Sequence, residues 1–477
     1  MDTELLKITQ NKLLELIQEN KLIRAESIAK EALKVFTDNR NIRQLLSVIL
    51  IGLKRYLEAE KIVVNLLENN PNASDFNNLS IIYKCLERYD DALEFAKLAV
   101  GLNFNNANYF GNLATIYSAL NFKDEAHNAI DKSIALSETS DSWFNKGIFY
   151  FTSNKLKESV ECYKRAIKIN PKPEYHIEMF YALAKNKEYQ KSWQFNEFRY
   201  QTSPQVYNIA NKLGLPVLFE RKDLYEEKIC ISFEQGIGDN VMFSRFLDKF
   251  HAKAPNSYLL IDGEYATTLF NQIKMPKSRE VLPETNYLIC MMSLPYHLNT
   301  NDVSEFKLFH QHNPIKSKKL KVGIAWAGSA YHPSDPIRST YLADFLPFLN
   351  DSEMQIYSFM KDKRKRKRVN SDEIIDYAEG FETFKIIDFG SQMTSLEETI
   401  HLFDEIDLLV SVDTSVVHLA GSAGVPTYLL VDEMCDWRWG SNESVSDWYP
   451  SVQIFRKTNG QSYKDLISEV YKKIRSA

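Results

Sequence analysis

Short apolar runs, separated by stretches with helical spacing, fill the chain from Lys228 onward. The run 228–233 predicts a buried strand, and residues 240–250 after it keep the spacing of an amphipathic helix. The same pattern predicts further strands at residues 257–261, 287–291, 321–327, 355–359, 385–389, 407–412 and 427–431, and helices at 341–349, 396–403 and 463–474. Strands that alternate with helices of this length favour parallel sheets covered by helices on both faces.

The pattern predicts two such lobes, residues 227–316 and 317–477. Parallel α/β sheets bind ligands at the carboxyl ends of their strands. We therefore expect a ligand in the crevice between the lobes.

The preceding part of the chain has a different character. Residues 1–213 contain only four of the 16 glycines and four of the 15 prolines, which predicts nearly continuous helix. Small and aromatic residues recur there at steps of 33 or 34, as in Tyr83, Tyr117 and Tyr150 or in Ala92, Ala126 and Ser159. This period resembles the tetratricopeptide repeat, a helix–turn–helix unit. Five or six units would form a superhelix over residues 1–203, followed by a linker at 204–226.

Repeats of this kind usually bind a partner protein or an extended peptide on their concave face. The alternative is that they support a dimer interface or the neighbouring domain. The oligomeric state stays open.

The amino-acid composition argues against several classes of protein. The net charge of −5 argues against a dedicated nucleic-acid-binding protein, and 44% apolar with 25% charged residues is typical of globular domains. No uncharged apolar run reaches the roughly 18 residues of a membrane span. Five scattered cysteines form neither a zinc motif nor an even disulfide set, which indicates a reducing, cytoplasmic compartment.

Two glycine-containing segments carry candidate chemistry. The turn 234–239, Glu-Gln-Gly-Ile-Gly-Asp, follows a predicted strand, but Val241 replaces the third glycine of a dinucleotide fingerprint, which disfavours NAD. The segment 407–424 predicts a buried strand that ends at Asp413, with a helix opening at Thr414 and Ser415. Free amides at that helix start could bind a diphosphate, or Asp413 could simply cap the helix.

Three motifs carry a resemblance to a family. The turn 234–239, the segment 326–339 and the segment 412–421 resemble those of bacterial glycosyltransferases linked to tetratricopeptide repeats. Those enzymes are similar to heptosyltransferases and, distantly, to O-GlcNAc transferases. The resemblance implies two Rossmann-like lobes in the GT-B arrangement, with the acceptor on the first and a nucleotide sugar on the second.

The resemblance also implies residue roles. Asp239 matches the proposed general base of heptosyltransferases, or it caps the following helix; Arg338 stands where those enzymes carry a phosphate-binding lysine. The resemblance and the residue pattern point to the same cleft, and the resemblance implies that the diphosphate binds at the second lobe and the acceptor at the first. The expected donor-binding set is Arg338, Lys361, Trp326, Asp413, Thr414, Ser415, Val416 and His418, and the expected acceptor or sugar contacts are Gln235, Gly236, Gly238 and His332.

Several of these positions have a second interpretation. His418 could instead pack under its helix, Trp437, Trp439 and Trp448 favour core positions, and the basic run 361–368 could be a solvated helix start. No Asp-x-Asp follows a strand, so no metal or other cofactor is expected. The sequence thus predicts an inverting, metal-independent glycosyltransferase acting on a protein such as flagellin. The alternatives are an inactive adaptor and an enzyme that modifies a surface glycan.

Overall fold

The computed structural model describes residues 2–261, 273–304, 312–329, 332, 334–361, 366–367, 374–458 and 460–476. The chain forms two compact units, Met1–Pro171 and Lys172–Ala477. Within the described residues, no helix is both long enough and apolar enough to cross a bilayer.

The first unit consists of five consecutive helix pairs. Neighbouring helices in the chain pack on each other, and each odd-numbered helix also contacts the next odd-numbered one. Buried small residues such as Ala59, Ala92 and Ala126 allow this close approach. The helices are α1 Asp2–Gln18, α2 Leu22–Val35, α3 Arg40–Gly52, α4 Tyr56–Glu68, α5 Ala73–Cys85, α6 Tyr89–Leu102, α7 Ala107–Ala119, α8 Lys123–Leu136, α9 Ser140–Thr152 and α10 Leu156–Ile169.

A left-handed residue marks the turn inside every pair. These residues are 33 or 34 positions apart, at Asn20, Lys54, Glu87, Asn121, Asn154 and Lys187, with φ between 56° and 62°. The last of them joins α11 Pro173–Lys185 to α12 Tyr189–Asn196. The period therefore counts six helix pairs, and the sixth lies in the second unit. The units divide at Pro171, whereas the sequence pattern had extended the repeat region to residue 203.

The second unit contains two parallel sheets. The four-stranded sheet has the order β3-β2-β1-β4 and the six-stranded sheet the order β12-β11-β10-β5-β6-β9. Arg366–Lys367 (β7) and Ile374–Ile375 (β8) form a separate antiparallel pair. The remaining strands are β1 Ile229–Ser232, β2 Tyr258–Leu260, β3 Lys277–Ser278, β4 Tyr287–Cys290, β5 Leu320–Ala325, β6 Met354–Ser358, β9 Ile386–Asp388, β10 Leu408–Val412, β11 Thr427–Val431 and β12 Val452–Arg456.

The order of the larger sheet is informative. Numbered along the chain, its six strands run 3-2-1-4-5-6, the order of the doubly wound dinucleotide-binding fold. The order reverses between β5 and β10, which are hydrogen-bonded neighbours. In the smaller sheet the corresponding reversal lies between β1 and β4. Crevices at such reversals are where these folds bind ligands.

The helices of the second unit differ in places from the sequence predictions. The segment 204–226, expected as a linker, contains a ten-residue helix, and the single helix expected at 240–250 is divided in two. Strand β12 was not predicted. Besides α11 and α12, the α-helices are α13 Arg199–Thr202, α14 Pro204–Leu213, α15 Ile237–Phe243, α16 Leu247–Lys253, α17 Leu294–Leu298, α18 Asp335–Arg338, α19 Leu346–Leu349, α20 Leu396–Leu402, α21 Ser415–Ser422 and α22 Tyr463–Ser476.

An aromatic cluster joins three parts of this unit. Trp193 of α12 packs against Phe243 of α15 and against Trp437 and Trp448 from the chain after β11. All four side chains are buried. Arg245, just after α15, also donates to the carbonyl oxygen of Trp448 (3.0 Å). The last helix pair, the first sheet and the C-terminal segment therefore share one core.

The left-handed turns lead to a stability prediction. Glu87 is exposed with φ 61°, a conformation that costs most L-residues about 1 kcal/mol and that asparagine tolerates better. We expect Glu87→Asn to raise the free energy of unfolding by up to about 1 kcal/mol in urea denaturation. The reciprocal change Asn121→Glu, at the equivalent turn, should lower it by a similar amount. If both variants had the same free energy of unfolding as wild type, this account of the turns would be contradicted.

Candidate functional site

The glycine turn after β1 is held by its own hydrogen bonds. The backbone N–H of Glu234 donates to Asn240 Oδ1 (3.1 Å), and Asn240 Nδ2 donates back to the Gly236 carbonyl oxygen (3.1 Å). The Gly236 N–H donates to Asp239 Oδ2 (3.2 Å), so Asp239 caps the start of α15. Gln235 is exposed with φ 56°. The turn thus points Gln235 and Gly236 outward and Asp239 inward.

A buried ion pair fixes the other side of this turn. Arg199, from α13, donates to both carboxylate oxygens of Glu234, at 2.9 and 2.7 Å, and Glu234 Oε1 also accepts the N–H of Met292 (2.7 Å). Met292 follows β4, so this carboxylate lies where the smaller sheet reverses its strand order. Arg199 also pairs with Glu197, and burial raises the pKa of Glu197 to about 6. The crevice of the first sheet is therefore filled by side chains of this chain.

Arg438 connects the two lobes. Its Nη2 donates to Asp239 Oδ1 and its Nη1 donates to Asp436 Oδ1 (2.7 Å). Although burial opposes the charged form, Asp239 and Asp436 raise the pKa of Arg438, so it stays a cation. Burial raises the pKa of Asp239 above its ordinary value, and Arg438 partly offsets this rise. The expected base is therefore largely buried and ion-paired.

A second contact between the lobes requires glycine at position 238. A Cβ built on Gly238 would lie 2.6 Å from Cδ2 of His418, which is on α21. His418 is itself held by Tyr449, with 3.1 Å from its Nδ1 to the hydroxyl oxygen, and stacks on Trp439. Burial lowers the pKa of His418 to about 3, so the imidazole is neutral. His418 packs under its helix, the second of its two sequence interpretations.

The reversal point of the larger sheet lies beside these contacts. Strand β10 ends at Val412, and α21 follows with Thr414 as its N-cap residue, which makes no side-chain capping bond. Asp413 is thus not the cap. Burial and the nearby Asp436 raise the pKa of Asp413 to about 6, while Arg338 acts in the opposite direction. Asp413 thus lies immediately before α21, and the positive charge of Arg338 acts on it.

Arg338 is brought to this point by the loop after β5. The N–H of Thr340 donates to the Trp326 carbonyl oxygen (2.8 Å), which closes the loop. A Cβ on Gly328 would lie 2.6–2.8 Å from the Arg338 guanidinium, so the glycine lets the guanidinium lie against the backbone. Arg338 Nε is buried and has no hydrogen-bond partner in the part of the chain that the structure describes. This cation retains an unused donor at the sheet reversal.

The other expected residues lie at different distances from this centre. His332 is exposed at the surface. Partial burial of its ring and, next, the positive charge of Arg338 lower its pKa. Trp326 is 0% exposed and packs near Phe381, so it does not line an open crevice. Lys361 is exposed just beyond β6. Most of the basic run, residues 362–365 and 368, lies outside the described residues.

Two functional-site candidates were not predicted. Arg438 and Asp436 lie in the Asp-Trp-Arg-Trp segment 436–439, whose tryptophans were expected to lie in the core. Its tryptophans are indeed buried. The sequence does contain a clue to these two residues, because Asp436 and Arg438 alternate with the tryptophans. A charged group beside buried rings needs a partner of opposite charge. No group of three or more potential metal-ligating side chains occurs among the described positions.

Comparison with known proteins identifies the repeats. Models of the tetratricopeptide repeat match residues 16–80 and 140–173, which confirms this prediction. Protein FlbA of Caulobacter vibrioides is 23% identical over 434 residues, or 80% of this chain and 69% of FlbA.

Two solved repeat structures are also similar to part of the chain. The tetratricopeptide-repeat protein TTC0263 of Thermus thermophilus is 19% identical with a TM-score of 0.36, over 37% of this chain and 98% of that one. YrrB, a repeat protein described as having an unusual peptide-binding site, is 22% identical with a TM-score of 0.28, over 38% and 90%.

The contact between Gly238 and His418 can be tested by one methyl group. We expect Gly238→Ala to lower the melting temperature of the second unit, because the added Cβ would collide with a ring that is fixed by Tyr449 and Trp439. Gly236→Ala is the matched control in the same turn, since its Cβ would lie 3.4 Å from the nearest atom. A Gly238→Ala variant as stable as Gly236→Ala would show that the ring is not packed as described.

The raised pKa of Asp413 predicts a pH dependence. The native carboxyl holds its proton up to about pH 6, whereas the unfolded one loses it near 3.8, so this group destabilises the fold increasingly from about pH 4 to 6. Asp413→Asn should therefore gain stability relative to wild type across that window, measured by denaturation at several pH values. Asp302→Asn is the control, because the pKa of Asp302 is lowered to about 2 and its contribution should be flat there. A flat difference for Asp413→Asn would refute the shift.

Proposed function

We propose that this protein is a glycosyltransferase that moves a sugar from a nucleotide-sugar donor to a protein held by its tetratricopeptide repeats. Its two sheet lobes would then act as the halves of a GT-B enzyme. The observation that carries the proposal is the arrangement at the reversal point between β5 and β10. There α21 starts just after Asp413, and the charge of Arg338 acts on that carboxyl. His418 of α21 packs against Gly238, next to Asp239, which pairs with Arg438 across the lobes.

Donor binding follows from the charges at that point. The leaving group of a nucleotide sugar gains negative charge as the glycosidic bond breaks. The backbone amides of Thr414–Val416 and the positive end of the α21 dipole suit one phosphate. The planar guanidinium of Arg338 suits bidentate contact with another. Preorganised donors of this kind stabilise developing charge without a metal ion.

Asp239 is the candidate general base on the opposite lobe. Burial raises its pKa, which makes its carboxylate a stronger base than an exposed aspartate. It would take the proton of an acceptor hydroxyl that attacks the anomeric carbon from the face opposite the phosphate, giving inversion. Gln235 and Gly236, exposed in the same turn, are placed to contact the acceptor or the sugar.

The acceptor class is inferred from the repeats. Stacked tetratricopeptide repeats commonly hold extended peptides, which favours a protein substrate such as flagellin or another surface protein. Modification of such a chain before export would take place in the cytoplasm. A free surface glycan is the alternative acceptor.

A non-catalytic adaptor is the second candidate function. One observation favours it: both oxygens of Asp239 already accept hydrogen bonds, from Arg438 and from the Gly236 amide. A base in that state is less available for an acceptor. The adaptor would bind partners through its repeats and would release no nucleotide.

The proposal predicts donor turnover by the full chain. Incubation with a panel of nucleotide sugars and a flagellin-type acceptor should release nucleoside diphosphate and add mass to the acceptor. Asp239→Asn and Arg338→Ala should each lower kcat/KM by about 10²-fold or more, because general-base and charge-stabilising groups contribute at that scale. Arg279→Ala, an exposed arginine after β3, is the control and should match wild type.

Three outcomes are informative. Release and transfer that survive both site variants would contradict the assigned roles. Transfer to a purified glycan but not to protein would favour the alternative acceptor. Absence of turnover with every donor, together with intact partner capture, would favour the adaptor.

A further inference from the structure

Asp239 is not a free base in this structure. Its Oδ2 accepts the Gly236 N–H and its Oδ1 accepts Nη2 of Arg438, which is a permanent cation at neutral pH. An adjacent positive charge stabilises the carboxylate and makes it a weaker proton acceptor. If Asp239 is to act on a substrate, Arg438 must first find another anionic partner.

The proposed phosphate site at the Thr414–Val416 amides would supply such a partner for Arg438. Its side chain is only 12% exposed, and Nε has no hydrogen-bond partner within the described segments. Its charge acts on Asp413, immediately before Thr414, and on His418 of α21. The next residue, Trp439, stacks on His418 in the first half of α21, so the Arg438 guanidinium lies close to that helix as well as touching Asp239.

We propose that Arg438 is a second donor-phosphate ligand and that its transfer from Asp239 to the donor phosphate frees Asp239 to act as the base. This inference rests on the proposed function and adds an order of events to it. The donor must bind before Asp239 can take the proton of the acceptor. A phosphate group carries more negative charge than a carboxylate and accepts both N–H groups of a guanidinium edge, so it competes well for Arg438. Asp436 keeps hold of Nη1 and limits how far the guanidinium moves.

The chemical step then balances without any further reactant. The acceptor oxygen bonds to the anomeric carbon as the bond between that carbon and the phosphate oxygen breaks. The acceptor proton goes to Asp239 Oδ1, which Arg438 has left. The bonding electrons go to the nucleoside diphosphate, whose added charge is met by Arg438 and Arg338. As the nucleotide leaves, Asp239 gives its proton to solvent, and Arg438 then returns to the ionised carboxylate.

The exchange has a kinetic signature. The acidic limb of the kcat/KM profile for the donor reports Asp239 in the free enzyme, where burial raises its pKa and Arg438 partly offsets that rise. The acidic limb of the kcat profile reports Asp239 in the loaded enzyme, without that offset. We expect the limb of kcat to lie at higher pH by about one to three pH units, the usual effect of one close opposite charge. The charged and titratable groups around Asp239 are Arg438, Asp436, Glu234, His332, Tyr181 and Tyr449.

The first test compares these profiles in wild type and in Arg438→Gln. In wild type the acidic limbs of the kcat/KM and kcat profiles should lie at different pH values. In Arg438→Gln they should coincide, and kcat should be lower because one phosphate ligand is lost. His332→Gln serves as a second variant that removes the nearby imidazole but should keep the limbs apart. Coincident limbs in wild type, with normal transfer, would overturn the exchange and leave the glycosyltransferase proposal standing.

The second test needs no turnover. Arg438 lies over the ring of Trp437, 4.7 Å from its centroid, so departure of the cation should change that indole's fluorescence. Pyrophosphate added to the full chain should give a saturable change in wild type that is absent in Trp437→Phe and in Arg438→Gln. Calorimetry would measure pyrophosphate binding in parallel.

The results separate the two proposals. Pyrophosphate binding without a fluorescence change, or no binding at all, would overturn the exchange. A fluorescence response in a protein that turns over no donor would support the exchange at the anion seat and count against the enzymatic function.

Discussion

The contact between Arg438 and Asp239 is the constraint on which the second unit depends. It joins the first turn of α15 to the segment after β11, and it is flanked by Asp436 on one side and by the packed ring of His418 on the other. Burying a single charge here would be prohibitive, so each of these groups requires the others. The lobes are thus held together by the same side chains that the proposed chemistry would use.

That arrangement is the reason for proposing the site at the larger sheet. In the smaller sheet the reversal between β1 and β4 is already filled, because Glu234 receives Arg199 and the Met292 amide there. In the larger sheet the equivalent place between β5 and β10 has the start of α21 and, from the loop after β5, the Arg338 guanidinium. The helical segment around Arg199 supports the glycine turn. The proposed ligand site is therefore left to the larger sheet.

Much of the architecture could be predicted because it is local. Strands β5 and β10 are continuous apolar runs, and the 33–34-residue period identifies the helix pairs without any long-range information. Strand β12 was missed because it alternates, with exposed Gln453 between buried Val452 and Ile454, so it carries no apolar run. The division into compact units at Pro171 is not visible in the repeat pattern. The sixth pair keeps the repeat period, but its Trp193 packs into the aromatic cluster with Phe243 and Trp448.

The candidate site was predictable only in part, for a related reason. Asp239, Asp413 and Arg338 each belong to a recognisable local motif, so each could be proposed from the sequence. Arg438 is 199 positions from Asp239, and nothing local indicates that the two charges meet. Nor does the sequence distinguish a histidine that faces a ligand from one that packs, as His418 does against Trp439 and Tyr449.

The most direct measurement is a crystal structure of the full chain with a bound nucleotide-sugar analogue that resists transfer. The account predicts density for the phosphates within hydrogen-bond distance of the Thr414–Val416 amides and of Arg338, with the sugar directed toward the glycine turn. A nucleotide bound elsewhere, or a start of α21 closed by side chains in every crystal, would contradict it.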